Sequence, residues 1–294
     1  MPATKILSTR VLVHARQRIV RWLPATLAAL AFGTAAAAHA NGLVLWNRLG
    51  SDSEILNSAA GPNLEFYTGG DAFSVPAVPA YVPGMFGDAL TIGPGSYGVT
   101  DRVHNVVFNN ADQYLNAERG TVEVWYQQLN DPIPFQRGIY RIFDGGFGLG
   151  SGLGLESLED GLHLNVAFGG AFIDIQHNIS AHNNSWVHLA GVWDRAGING
   201  SADAMRLYVN GAVVASTGAN NWGNAVGSRV DIAGANDGDI VGQFYVDNLK
   251  VYDFALTDFS HRFDENWVVP EPAAATLFAL GSLLLVTRRI RRED

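Results

Sequence analysis

WVHLAGVWDRAGINGSADAMRLYVNGAVVAS, residues Trp186–Ser216, is the stretch from which the fold is read. Its second half holds two short β-prone runs, MRLYV and AVVAS, joined by Asn210-Gly211. Asn and Gly both tolerate positive φ, which a tight type I′ turn requires at its central positions, so Met205–Ser216 is predicted to be a hairpin. Upstream, Trp186, His188, Ala190 and Val192 alternate with Val187, Leu189, Gly191 and Trp193, the period of a strand. A strand, a variable loop and a hairpin make an antiparallel sheet.

The same period recurs on both sides. Thr121–Gln128, TVEVWYQQ, puts Val122, Val124 and Tyr126 on one face and Glu123 and Trp125 on the other. Leu43–Trp46, Leu64–Tyr67, Ala89–Ile92, Val103–Phe108, Ile139–Asp144, Leu153–Glu156, Gly161–Phe168, Ala171–Gln176, Arg229–Ala233 and Gln243–Tyr252 complete the strands. Gly-Gly, Asp-Gly and Pro breakers divide them. Gly169-Gly170 is predicted to be a second two-residue hairpin, and Ala255–Phe263 a helical turn or two. So many short strands with almost no helix imply an all-β sandwich of two antiparallel sheets packed face to face.

The two ends read differently from the middle of this 294-residue chain. Lys5, Arg10, Arg16, Arg18 and Arg21 precede the apolar run Trp22–Ala38, and Ala38-His39-Ala40 has the small-x-small form that signal peptidase cleaves. Residues 1–40 are therefore expected to be a signal peptide with an apolar helix, cut after Ala40; a short retained anchor is the alternative. At the other end, Val269-Pro270-Glu271-Pro272 leads into the apolar Ala273–Thr287 and then Arg288, Arg289, Ile290, Arg291 and Arg292. That apolar run is shorter than the roughly 20 residues that span a bilayer comfortably. As a single transmembrane helix it would leave the arginines cytoplasmic and the preceding domain outside.

Residues 1–40 and 288–294 hold nine of the 19 basic residues but two of the 28 acidic ones, so the middle is strongly acidic. Such a surface repels phosphate backbones and argues against nucleic acid as a partner. Cations, neutral glycans and proteins fit better. With no cysteine, there is neither a disulfide framework nor thiol chemistry.

Four pieces read in order, Gly84–Leu90 (GMFGDAL), Thr121–Tyr126 (TVEVWY), Trp186–Ala215 and Asp247–Thr257 (DNLKVYDFALT), resemble the laminin-G-like domain of the concanavalin A-like lectin/glucanase jelly rolls. The resemblance covers roughly Leu43 to Phe263, within one domain of residues 41–267. It implies two curved sheets that meet ligands on a concave face or through loops at one edge. Residues 268–294 resemble the PEP-CTERM sorting tag. That likeness implies exosortase recognition of Pro270, Glu271 and Pro272, transient membrane anchoring, loss of the tail with Arg288 and Arg289, and delivery to the cell surface or extracellular matrix.

Candidate chemistry follows from residue type and spacing. Jelly-roll glycosidases of the retaining kind need two carboxylates about 5–5.5 Å apart. On a strand that means i, i+2 or i+4 spacing. Glu156 and Glu159 are three apart and Glu123 stands alone beside Trp125, so no catalytic residue is assigned. The family likeness offers a structural Ca²⁺ held by Asp247 with backbone carbonyls near the mature N-terminus, with an Asp hydrogen-bonded to a turn as the equal alternative. The oxygen-rich loop Asn236–Asp239 adds Asp237 and Asp239 as further ligands or as a solvated turn. His177, His182 and His188 match no zinc spacing.

Trp125 and Trp222 are the candidate sugar-stacking residues, Trp222 being expected exposed in the Gly/Asn-rich loop Gly218–Gly227; sheet core is the competing reading, favoured for Trp125, Trp186 and Trp193. The sequence thus reads as an exported, non-catalytic binding or adhesion module contacting a glycan or surface protein. A glycoside hydrolase and a purely structural matrix protein are the alternatives.

Overall fold

The structure, a computed structural model, describes residues 42–66, 80–92, 106–129, 140–144, 152–158, 161–232 and 244–267. In chain order the strands are β1 (Leu43–Asn47), β2 (Glu65–Phe66), β3 (Ala80–Pro83), β4 (Asp88–Ile92), β5 (Val106–Asn109), β6 (Arg119–Gln128), β7 (Tyr140–Asp144) and β8 (Leu153–Leu158). They continue as β9 (Gly161–Val166), β10 (Ile173–His177), β11 (Val187–Asp194), β12 (Met205–Val209), β13 (Ala212–Thr217), β14 (Arg229–Ile232) and β15 (Phe244–Tyr252). One α-helical turn, α1 (Asp52–Leu56), is capped by the Ser51 side chain, which accepts from the Glu54 N–H. Among the described residues no helix is long and apolar enough to cross a membrane. The two predicted terminal helices, the cleavage site at Ala38 and Ala40 and the Pro270–Pro272 motif lie outside the described residues.

The strands form two antiparallel sheets. The first runs β13-β12-β11-β6-β15-β4-β3, with β1 also on β15; the second runs β10-β9-β8-β7-β14-β5-β2. Strand β15 is the organising member of the first sheet. Its first half pairs with β4 through Phe244–Val246, and its second half pairs with β1 through Leu249–Tyr252. Between them the register against β6 shifts at Asp247 and Lys250, and Asn248 takes a left-handed φ of 54°. Asp247 and Asn248 therefore sit at a bulge where one neighbour ends and the next begins.

The alternation read from TVEVWY holds. Val122, Val124 and Tyr126 join the main core with Leu189, Trp193 and Leu207 of the same sheet and Leu155, Leu162, Leu164 and Val166 of the other. Each such fully buried aliphatic side chain contributes roughly 1.5–3 kcal/mol. The opposite face of the first sheet is covered over its central strands, while Val213 at the β13 edge stays exposed. The C-terminal strap Asp253–Trp267, with a short 3₁₀ turn at Ser260–Phe263, crosses this face and forms a second apolar cluster. Leu256 and Phe259 of the strap pack there on Ala190, Val192, Tyr208 and Tyr252.

The two turn predictions fare differently. Asn210 and Gly211 both have positive φ, 51° and 82°, and join β12 to β13 as expected. Gly169-Gly170 does not make a two-residue hairpin. The positive-φ pair is Phe168 and Gly169, one position earlier, inside a longer link between β9 and β10. Gly170 instead meets Gly223 so closely that a Cβ there would lie 2.1 Å from the Gly223 nitrogen.

Candidate functional site

An open groove of about 640 Å³ lies at one edge of the sandwich, between the β5–β6 connection, the loop before β14 and the end of β15. Asp112, Gln113, Tyr114, Asn116, Glu118 and Asn224 give it its polar lining, and Asp253 closes it from the third side. Tyr114 is exposed, with its ring tilted against Phe108 at 5.6 Å. Four backbone hydrogen bonds wind residues 110–115 into a 3₁₀ turn tied to the next loop, including Ala111 N–H to Ser228 O at 3.0 Å.

Two buried indoles brace this wall from behind. Trp193 donates its indole N–H to Asn116 O at 2.9 Å, and Trp222 donates to Ala117 O at 2.8 Å. Arg195 lies over the Trp222 ring, donates to Gly223 O at 2.7 Å and pairs with Glu118 at 3.3 Å. The expectation that Trp222 is an exposed contact is corrected: it is 3% exposed and joins the main core. A loop rich in Gly and Asn looked solvated from sequence, yet its one large ring is what the loop packs inward.

Trp125 is likewise buried, so the competing core reading applies to it. Its indole N–H donates to Arg262 O at 3.0 Å, and Phe86, His188 and Phe263 surround the ring. Trp186 stays half-buried beside Tyr245, 6.4 Å between centroids.

Asp247 is 1% exposed. Its Oδ2 accepts from the N–H groups of Met85 (2.6 Å) and Phe86 (2.9 Å), clamping the GMFGDAL turn to the β15 bulge, while Oδ1 has no partner. Burial pushes its carboxyl up, against those two hydrogen bonds and with help from the charges of Glu265 and Glu54, to about 6. Ca²⁺ takes six to eight oxygens. Here one carboxylate oxygen faces N–H donors and one is free, and among the described residues no group of three His, Asp or Glu side chains could hold a metal. Any further oxygens for an ion on Oδ1 would have to come from backbone carbonyls. Asp237 and Asp239 lie outside the described residues.

Beneath the strap lies a polar nest that the alternation alone did not reveal. Glu123 accepts from Tyr252 OH at 2.8 Å, His188 Nε2 at 3.0 Å and, more loosely, His261 Nε2 at 3.4 Å. Burial alone would raise the Glu123 carboxyl, but the hydrogen bonds and charge of the two histidines hold it well below the usual carboxylate range. Lys250 donates to Glu265 O at 3.0 Å and Trp267 O at 2.9 Å, and burial lowers its ammonium pKa. His261 stacks on Trp267 at 3.5 Å.

Comparisons with known proteins agree with this architecture. No curated protein matches the chain by sequence. The receptor-binding domain of botulinum neurotoxin mosaic serotype C/D superposes with a TM-score of 0.56 at 14% identity, covering 77% of this chain and 51% of that one. The botulinum neurotoxin serotype D binding domain gives 0.55 at 12%, covering 77% and 52%. The binding domain of Paraclostridial Mosquitocidal Protein 1 gives 0.52 at 16%, covering 74% and 50%. The chain thus spans about half the length of these structures, and at such identities the likeness is one of fold. Residues 101–259 match the laminin G model of the concanavalin A-like lectin/glucanases superfamily, more than half of the chain, and the protein belongs to that superfamily.

Proposed function

We propose that the chain is an exported, non-catalytic binding module whose ligand, a glycan, lies in the edge groove. The observation that carries this reading is the bracing of the groove wall by the indole N–H groups of Trp193 and Trp222. A loop fixed before binding loses less freedom on binding. The wall presents what a sugar needs: the flat ring of Tyr114 and the amides of Gln113, Asn116 and Asn224 for ring hydroxyls. Asp112, Glu118 and Asp253 line the groove, Glu118 being paired with Arg195, and among the described residues no lysine or arginine lines it, so a neutral or amine-bearing glycan suits it better than an acidic one. That the structural neighbours are receptor-binding domains supports a binding role by analogy of fold.

The test is a glycan array of neutral, amino and uronic-acid polysaccharides, probed with the wild type and Tyr114→Ala. Binding should fall on neutral or amino glycans and drop roughly two- to tenfold in the variant, the loss of a stacking contact worth roughly 0.5–1.5 kcal/mol. Undiminished binding by the variant would move the site elsewhere. Reducing ends released on the array would favour hydrolysis, and no binding at all would favour a structural matrix protein.

Export rests on the two sequence ends: the cleavage pattern at Ala38 and Ala40, and the Pro270–Pro272 motif with its apolar run and arginines, which suit an exosortase-processed tail. A structural calcium ion remains a second reading because Asp247 Oδ1 is buried without a partner.

A further inference from the structure

One buried carboxylate in the nest faces two imidazoles and one ammonium group. Glu123, on β6, accepts from His188 Nε2 of β11 and His261 Nε2 of the strap, an arrangement that places a proton on Nε2 of each ring. Both Nδ1 atoms are buried and have no partner. Lys250, directly across from Glu123 in the β15–β6 register, supplies the ammonium group. Its Nζ is held by two strap carbonyls and lies 4.9 Å from the Trp46 ring centroid.

Other ionisable groups surround the nest. Arg48 pairs with Glu265 at 2.7 Å, Asp264 and Glu265 lie near Lys250, Asp258 lies near His261, and Arg262 donates to Phe259 O. Each of these five is at least partly exposed, so water and salt screen it. Tyr252 donates to Glu123, and Tyr208 packs on Phe259 at 4.8 Å. Asp247, opposite Trp125 in the β15–β6 register, is also buried, and its carboxyl is tied to the Met85 and Phe86 N–H groups. Around Glu123 itself the buried balance is set by Glu123, Lys250 and the two imidazoles.

We propose that this nest is an acid-release latch: when His188 and His261 are both protonated, the strap Asp253–Trp267 lifts from the first sheet. With both rings neutral, the charges of Glu123 and Lys250 cancel. One imidazolium can still sit against the carboxylate; two leave a double positive excess in a site that water does not reach. Each added proton also creates an Nδ1–H that has no acceptor while the strap is down. Glu123, held far below its usual range, does not take up the proton in their place. Lifting the strap gives both rings water and uncovers Tyr208, Tyr252, Leu256 and Phe259.

The test is amide hydrogen exchange on the full chain, normalised to intrinsic rates, at about pH 7.5 and about pH 5, which bracket ordinary histidine titration. Strap amides should lose roughly tenfold or more protection at the acid pH while β6 and β11 keep theirs. Equal strap protection at both pH values would overturn the latch. His188→Gln combined with His261→Gln keeps a donor toward Glu123 without titrating, so its strap should be insensitive to pH. Acid release that persists in that variant would assign the effect to another group and overturn the proposal. If the double variant does not fold, the ring-proton NMR titrations of the wild type serve instead. His188 and His261 must then titrate in the interval where strap protection is lost, and loss outside that interval also refutes the latch.

Discussion

Asp247 has one carboxylate oxygen holding two N–H donors and one holding none, and that asymmetry has a pH signature. Burial raises its folded-state pKa to about 6, against an unfolded value near 3.8. Between those values the folded protein binds more protons than the unfolded chain, so this group's contribution to stability falls as pH rises from about 4 to about 6. Two pKa units correspond to about 3 kcal/mol. Urea unfolding of the wild type and Asp247→Asn over that range should give two curves whose difference closes by roughly this amount, because the amide does not titrate. Parallel curves would mean that the carboxyl does not change charge there. Repeating the series with calcium and with a chelator separates the second reading: an ion on Oδ1 would hold the carboxyl ionised and flatten the wild-type curve only when calcium is present.

The secondary-structure elements show which sequence signals are local and which are not. Asn210-Gly211 was legible because a type I′ turn asks only for two positive φ values, and the turn residues supply both; Asn210 Oδ1 also accepts from His188 N–H at 3.0 Å. Gly169-Gly170 carries the same dipeptide signal but serves a distant partner. Gly223 N–H donates to Ala167 O at 2.7 Å and Ala225 N–H to Phe168 O at 2.8 Å, so the β9–β10 link and the groove loop lock together. No window of sequence contains both. Gly170→Ala tests that account. Its Cβ would meet backbone rather than a movable side chain, so the two loops must separate. A loss of about 1–3 kcal/mol in stability is expected, with weaker glycan binding, since Trp222 and Asn224 flank Gly223. Unchanged stability would show that the two loops are not in contact.

At the scale of the whole molecule, the sequence reading recovered the sandwich but not what covers it. Alternation assigns a side chain to a face, and it put Glu123, Trp125 and His188 correctly opposite the main core. It cannot say that the face is roofed, because the roof is an irregular segment without a period. The groove was illegible for a related reason: residues 112–118, 224–226 and 253 come together only once both sheets exist. The strap is thus a structural member whose weight can be measured by shortening the chain. A chain ending after Val269 keeps both carbonyls that hold Lys250, together with His261 and Phe259, and should match the full-length protein within about 1 kcal/mol. A chain ending after Asp253 loses the burial of Leu256 and Phe259, roughly 1.5–3 kcal/mol each, and leaves Trp125 and Lys250 without their strap carbonyls. Its stability should drop by roughly 5 kcal/mol, a large part of what a domain usually has, while the main core between the sheets persists. Calorimetry and dye binding to exposed apolar surface read both changes. Equal melting of the two shortened chains would mean that the strap lies on the sheet without supporting it.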